Sequence, residues 1–551
     1  MYGFEILFII LVSILNISSG KICKICSCTK SGEMIIYNCD KKFESNVTSF
    51  SVLLYLNDDN SPKNFILSNN GFTESLLEPM KNLQSLRRIN LSHNFLNGSN
   101  IKIFGNMTEL YELNLSFNRW TIFNTELFID LSSLSELDIS YNSIESFNVA
   151  NSSKQFQLTH LHLSHNKITI ITEELFKNFP LLQYIDLSFN LINSIEFHSF
   201  TNLHSLKSLM LHHNFIKILD INFPQLLKTL EVNHNNLTKF PSNLSVDFLI
   251  IDNNKISVMT VNNKNIYKQL KFLNISRNLL DSFINAEFSS LEVLDISYNK
   301  FSIIPESINA INFPKFNTLV ISGNPISQLK FNAEIKLRSF VGCYLNLLTR
   351  INDDDLKLLK EYDSDCINLT ICSNEKLELF DEKSVENLNL CYMDLSNNAL
   401  KKISPTMRGL QENNFFKYGF NLQGNPLICD CASQWMLNDF VPKLYELNSE
   451  LLTNLRCNEP PKLFNVRLVH WYKWKNQIFC DDNQTININD MGNNLTNIYT
   501  ESMSSTIVIE SSKTMLFAVV SCTVVFAIIV IVGLTYSLKL EYKKRRKNRR
   551  F

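Results

Sequence analysis

Apolar positions along this chain follow two periods at once. Over a few residues they alternate with polar ones, which predicts short strands with one buried face. Over longer distances the whole block returns, as LRRINLSHN, LYELNLSFN, LSELDISYN, LTHLHLSHN, LQYIDLSFN and LKSLMLHHN. The closing asparagines are Asn94, Asn118, Asn142, Asn166, Asn190 and Asn214, each 24 residues after the last. Asn70 extends the series backwards, and it runs on less regularly through Asn235, Asn254, Asn278, Asn299 and Asn324. After a disturbed stretch, with one more copy expected at Asn346, it resumes at Asn374, Asn398 and Asn425. One copy cannot bury its apolar face alone, so the copies are expected to stack around a shared core. The asparagine falls where the chain turns off the strand, and its amide can both donate and accept between neighbouring turns. Ten residues beyond it stand Phe104, Phe128, Phe176, Phe200 and Phe288, which predict an outer apolar layer.

Two other apolar runs break this rhythm. Residues 1–20 carry an uncharged apolar stretch from Ile6 to Leu15, broken only by Ser13 and followed by Ser18, Ser19 and Gly20, which reads as a secretory signal peptide although Glu5 stands where a basic residue is usual. Residues 514–538 hold no charge between Lys513 and Lys539 and are long enough to cross a bilayer as a helix of about 1.5 Å rise per residue. Lys539, Lys543, Lys544, Arg545, Arg546, Lys547, Arg549 and Arg550 follow, against Glu541 alone. That cluster predicts a cytoplasmic end by the positive-inside rule, with unspecific attraction to anionic lipid headgroups.

Composition narrows the chemistry. In 551 residues the formal charge is −1, so no net field attracts nucleic acid and no nucleic-acid partner is expected. The basic tail carries +7, which leaves −8 on the rest. Hydrophobic residues make up 45% and charged ones 19%, unlike a disordered chain. With 13 glycines there is no glycine-rich phosphate or dinucleotide fingerprint, and neither a nucleophile–base set nor a metal constellation is apparent, so an enzyme is not expected and no cofactor is predicted. The 13 cysteines are clustered, which points to disulfides and an oxidising compartment. Cys23, Cys26, Cys28 and Cys39 precede the repeats; Cys429, Cys431, Cys457 and Cys480 follow them; Cys343, Cys366, Cys372 and Cys391 lie in the disturbed region, and Cys522 lies in the apolar segment. Cys-x-x-Cys-x-Cys leaves metal binding as an alternative at the first quartet. By repeat position Cys372 and Cys391 stand about five residues out of register, roughly 16 Å at 3.3 Å per residue, so no bond is expected between them; the pairing of the middle four stays open.

The Leu-x-x-Leu-x-Leu-x-x-Asn string is identified as the leucine-rich repeat. With a phenylalanine layer, irregular middle copies, two cysteine quartets and one apolar span, residues 21–540 resemble a Toll-like receptor ectodomain. The resemblance implies an α/β solenoid, a leucine-rich repeat horseshoe with a concave parallel sheet, two disulfide caps and one transmembrane helix. It also implies cap pairings Cys23–Cys28, Cys26–Cys39, Cys429–Cys457 and Cys431–Cys480, although the first spacing is one residue tighter than usual. The expected organisation is a signal peptide at 1–20, the N-terminal cap and first strand at 21–60, and about 15 repeats at 61–425, irregular near 325–390. The C-terminal cap then covers 426–480, a flexible stalk 481–513, the span 514–538 and the basic tail 539–551.

Specificity in such proteins often lies on the concave sheet. There we place the residue before each asparagine: His93, Phe117, Tyr141, His165, Phe189, His213, His234 and, further on, Tyr298. At about 4.8 Å per strand they form a ring-bearing row able to anchor a protein partner, or merely the common filler of the family. Seven of the ten histidines (those four with His160, His162 and His212) fall on predicted concave positions, which raises acid sensing or metal binding as a hypothesis. Asn46, Asn90, Asn97, Asn106, Asn114, Asn151, Asn236, Asn243, Asn274, Asn368, Asn483 and Asn494 begin glycosylation sequons, with Asn90, Asn114 and Asn274 expected on the concave face.

The reading is a single-pass type I protein of the plasma membrane or an endosomal membrane: a receptor or co-receptor for extracellular protein or microbial ligands, acting as a homo- or heterodimer with another leucine-rich repeat receptor. Toll-like receptors continue into a cytoplasmic TIR domain, whereas 13 residues follow the span here. That departure keeps two alternatives open, an adhesion or ligand-anchoring protein and a truncated gene model of a full receptor.

Overall fold

The structure is a computed structural model. It describes residues 23, 25–32, 34–43, 63–77, 85–98, 104–105, 107–150, 154–224, 226–241, 244–259, 266–363, 366–406, 418–473 and 479–480. The leader at 1–20, the stalk at 481–513, the apolar segment at 514–538, the basic tail at 539–551 and the sequons at Asn46, Asn106, Asn151, Asn243, Asn483 and Asn494 lie outside them. No helix among the described residues is long and apolar enough to cross a membrane. The chain forms two compact units that divide between Ile250 and Ile251.

The first unit opens with Ser27–Ser31 antiparallel to Met34–Asn38, and every later pairing in its main sheet is parallel. Lys63–Ile66, Leu86–Asn90, Glu112–Asn114, Glu136–Asp138, His160–His162, Tyr184–Asp186, Ser208–Met210, Leu227–Glu231 and Val246–Ile250 follow in chain order, one strand per copy. The register is that of the repeat: Ile89, Leu113, Leu137, Leu161, Ile185, Leu209, Leu230 and Leu249 are successive partners and all are fully buried. Leu91, Leu115, Ile139, Leu163, Leu187 and Leu211 form a second buried row just past the strands. At about 25 cal/mol per Å² of apolar surface, such rows hold the copies together.

Asparagine supplies the polar counterpart. Nδ2 of Asn166 donates to the carbonyls of Leu163 and Ser164 in its own copy and of Ile139 in the copy before, at 3.0, 3.3 and 3.1 Å. Its Oδ1 accepts the Ile144 N–H at 2.9 Å. Asn94, Asn118, Asn142, Asn190 and Asn214 repeat the pattern, so groups that leave the sheet ladder still find partners.

The second unit continues with Phe272–Asn274, Val293–Asp295, Thr318–Val320, Ser339–Val341, Ile367–Thr370, Leu390–Asp394 and Gly419–Asn421, again parallel. Asn278, Asn299, Asn324, Asn374, Asn398 and Asn425 form its asparagine column. The copy expected at Asn346 is displaced by one residue. Tyr344, with φ +56°, occupies the turn and Leu345, fully buried, stands where the asparagine belongs, while Asn346 is exposed.

The return segments correct the expected α/β class. Among the described residues the α-helices are Glu74–Leu77, Ile266–Gln269 and Val441–Asn448; elsewhere the outer side is built from turns, 3₁₀ segments such as Thr125–Phe128, and short parallel pairs such as Ile122–Asn124 with Ser146–Asn148. This is a β-solenoid. A copy of about 24 residues must cross the core and return, and 3₁₀ or extended chain advances about 2.0 to 3.3 Å per residue against 1.5 Å in an α-helix. Phe104, Phe128, Phe176, Phe200 and Phe288 are buried beneath these segments, with ring centroids 6.3 Å apart for Phe104–Phe128 and 5.5 Å for Phe176–Phe200.

Six disulfides staple the units. In the first, Cys23 is bonded to Cys28 and Cys26 to Cys39, with Cα atoms 5.4 and 4.5 Å apart; these sulfurs are therefore not thiolate metal ligands. In the second, Cys429–Cys457 and Cys431–Cys480 close the C-terminal cap around Val441–Asn448 at Cα separations of 5.6 and 4.4 Å. The middle four pair as Cys343–Cys372 and Cys366–Cys391, 4.5 and 5.2 Å between Cα atoms. Cys372 and Cys391 are unbonded to each other, since the register Thr370↔Asp394 leaves them five residues apart along the strands.

Candidate functional site

In the first unit, the residue before each asparagine is where a chain feature becomes a surface. His93, Phe117, Tyr141, His165, Phe189, His213 and His234 have φ between +52° and +56°. The left-handed region costs a non-glycine residue about 1–2 kcal/mol, and the asparagine bonds on either side hold the turn there. The turn ends the strand: His93 lies three residues past Asn90, the last residue of Leu86–Asn90. The row therefore stands on the exit turns beside the sheet, which corrects its expected position on the strand face.

The outward-turned side chains stack on one another. Ring centroids are separated by 4.0 Å from His93 to Phe117, 4.1 Å to Tyr141, 4.0 Å to His165, 4.3 Å to Phe189, 4.2 Å to His213 and 4.1 Å to His234. Interplanar angles stay at or below 16°. Each stacked pair contributes about 0.5–1.5 kcal/mol. Because the faces of the inner rings cover one another, the column offers its edges: imidazole nitrogens, the Tyr141 hydroxyl and the positive C–H rims of phenylalanine. Phe117, Tyr141 and Phe189 remain about two-fifths exposed.

A second exposed column lies just beyond the asparagines, at Phe95, Leu191 and Phe215, and the Arg119 guanidinium sits 4.0 Å over the Phe95 ring. The sequence reading missed it, although the same repeat offset from Asn94, Asn190 and Asn214 marks it. In the second unit the equivalent column reads Asn253, Arg277, Tyr298, Gly323, Tyr344 (before Leu345), Ser373, Asn397 and Gly424. Arg277 stacks 4.4 Å over Tyr298, whose ring leans across Gly323 so that a Cβ there would collide with it.

The histidines divide. His160 and His162 lie on a strand, where His162 faces the Tyr184 ring at 5.1 Å; His93, His165, His213 and His234 belong to the exit column. His212, beside His213, brings its Nδ1 to 3.0 Å from the neighbouring Nδ1. Burial, opposed by Asp186 and reinforced by His213, His234 and His165, pushes His212 down to about 4. Burial also lowers His165, His160 and His213, the last with help from His234 and His165. Among the described residues no group of three or more His, Cys, Asp or Glu is arranged to hold a metal ion.

The described sequon residues differ in what their amides do. Asn90, Asn114 and Asn274 end strands and accept the N–H two residues on at 2.9, 2.9 and 3.0 Å. Asn274 is buried and donates Nδ2 to Asp252 Oδ1 at 3.2 Å, whereas Asn97 is exposed and Asn236 and Asn368 are half-buried.

Family comparison agrees with the stacked copies. The leucine rich repeat family model matches residues 84–144 and 156–216, and a second leucine rich repeat model matches 290–311. These copies are leucine-rich repeats. Among curated leucine-rich repeat relatives, human oligodendrocyte-myelin glycoprotein is 29% identical over 139 residues, 24% of this chain and 31% of that protein. Toll-like receptor 10 of Bos taurus is 30% identical over 108 residues, 19% of this chain and 13% of that protein. The chain thus spans less than a third of the length of these relatives. Among solved structures, a TLR13–ssRNA13 complex is 22% identical with a TM-score of 0.52, covering 77% of this chain and 58% of that one, a likeness of fold.

Proposed function

We propose that this leucine-rich repeat chain is a ligand-binding receptor or co-receptor of the Toll-like kind. It is displayed outside the cell on the 514–538 segment and binds an extracellular protein or microbial ligand through the ring column of its first unit. The observation that carries the reading is the unbroken stack from His93 to His234, exposed at its edges and fixed by the backbone of seven successive copies. A rigid aromatic surface loses little conformational entropy on binding, which is how interface hot spots are built. Disulfides in both units support an oxidising, extracytoplasmic setting. A second reading, adhesion or ligand anchoring, uses the same exposed ring surface without signalling.

The test is proximity labelling on intact cells that display the full chain, compared with a Phe117→Ser, Tyr141→Ser, Phe189→Ser variant. The expected result is surface labelling of a partner set that the triple variant loses while staying at the surface. An unchanged set, or a chain never found at the surface, overturns the reading. Association of a labelled partner with a signalling receptor separates the first reading from the second.

A further inference from the structure

The ring column contains one joint built differently from the rest. From Phe117 to Phe189 an imidazole meets carbon rings on both faces, as His165 does between Tyr141 and Phe189. At the next copy three imidazoles meet instead: His213 stacks on His234 at 4.1 Å, and its Nδ1 lies 3.0 Å from Nδ1 of His212. Such an Nδ1–Nδ1 contact is a hydrogen bond only while one ring carries the proton and the other offers a lone pair. A second proton turns both nitrogens into donors facing each other, beside the third imidazole.

We propose that the His212–His213–His234 joint is an acid-opened latch: protonation at endosomal pH breaks the His212–His213 contact, loosens the turn and releases a partner held on the column at neutral pH. This rests on the column being the ligand-binding surface. The charged and titratable groups that act on the pair are few. Asp186 on the preceding strand favours protonation of His212, but its Oδ1 already accepts from the Ser188 N–H and hydroxyl at 3.0 and 2.6 Å. Glu231 ends the following strand, next to Met210 in the register. His165 and His234, on copies either side, oppose a further charge. Burial is the main cause that lowers the affinity of His212 and His213 for protons, with His213 and His234 adding to it at His212, and His234 and His165 at His213, so opening that exposes the rings takes up protons. Movement has a direct route to the backbone, because the His213 N–H donates to Asn233 O at 3.0 Å and the Asn214 N–H to His234 O at 3.3 Å.

The latch is tested by amide exchange on the purified full-length protein at pH 7.4 and 5.5, corrected for the intrinsic pH dependence. Peptides covering 208–216 are expected to exchange severalfold faster in acid, while those covering 184–192 stay unchanged. His213→Phe, which places in this copy the residue Phe189 has in the one before, and His212→Asn, which copies Asn233, are expected to abolish the response while keeping neutral-pH protection. A pH-independent exchange in the wild type, or a response that survives in both variants, overturns the latch. If the joint opens in acid but the triple variant still captures the same partners, the ligand-binding reading and the partner release fail, and only the acid opening of the joint stands. If the partners are lost in the triple variant but exchange ignores pH, the reverse holds.

Discussion

A single asparagine in the column makes about four hydrogen bonds that no other residue type can make together, because it must donate twice and accept from the same plane. Asn166→Ala removes the acceptor of the buried Ile144 N–H, while the carbonyls of Ile139 and Leu163 each lose one amide donor and keep another, from Asn142 and Asn190. One buried group left unsatisfied costs about 1–3 kcal/mol and each further lost hydrogen bond about 0.5–1.5 kcal/mol, so an overall loss of about 3 kcal/mol is expected in a denaturant titration, with faster exchange at Ile144. Asn274 illustrates the opposite use of the residue type. Its amide nitrogen is held by Asp252 in a buried setting, so a glycan there cannot be housed, and intact-glycopeptide mass spectrometry of folded protein is expected to find Asn97 occupied and Asn274 bare. His212 gives the pH dependence its sign. An unfolded chain takes up that proton near 6.5 and the folded one only near 4, so the stability it contributes is complete above about 6.5 and is lost as pH falls towards 4. The thermal midpoint is expected to fall through that window in the wild type and to fall less in His212→Asn.

The element where the repeat breaks shows what compensates for a missing asparagine. In the copy Ser339–Leu345, Gly342 replaces the inner leucine and Leu345 the asparagine, while Cys343 stands two residues before it, where most other copies carry serine. Cys343 is bonded to the equivalent Cys372 of the next copy, so a covalent tie occupies the copy in which the amide tie is absent. For a loop of 29 residues the chain-entropy account gives the bridge about 3–4 kcal/mol. Replacing both cysteines by serine is therefore expected to lower stability by that order, and adding Leu345→Asn to recover part of it. No recovery in an unfolding titration would mean that the amide and the bridge do different jobs. The same copy marks the limit of what the amino-acid pattern reveals. Strands, buried rows and asparagine bonds follow from spacing alone in the copies from Asn94 to Asn214, since each repeats one solution to the same burial problem. Here spacing pointed to Asn346, because the register is set by which residue takes the left-handed turn, and Tyr344 takes it. The ring column was misplaced for the same reason: alternation of apolar and polar residues extends past the strand, but a positive φ at His93 or Phe117 turns the side chain off the sheet face. Helical outer segments were expected from fold class rather than from any helical period in the copies, and the 3₁₀ turns replace them.

At the scale of the whole molecule, charge and hydropathy along the chain argue for how the repeats are presented. Eight basic residues between Lys539 and Arg550 adjoin an uncharged segment at 514–538, and the balance on everything before that cluster is −8. Under the proposed anchored reading, it is the Lys and Arg cluster beside the apolar segment that sets the orientation, holding residues 539–551 on the cytoplasmic side and the repeats outside. A full chain carrying a tag after residue 20 is therefore expected to resist carbonate extraction from membranes, with the tag open to protease on intact cells. Phe526→Arg, at the centre of the apolar segment, costs about 2.5–3.5 kcal/mol of insertion free energy and is expected to shift a large share of the protein into the medium with its repeats still folded. Secreted variant that still loses its partners with Phe117→Ser, Tyr141→Ser and Phe189→Ser would place recognition in the first unit and anchoring in the apolar segment as separable functions. Wild-type protein extracted by carbonate, or a tag shielded on intact cells, would remove the membrane from the account and leave the ring column as the surface of a secreted protein.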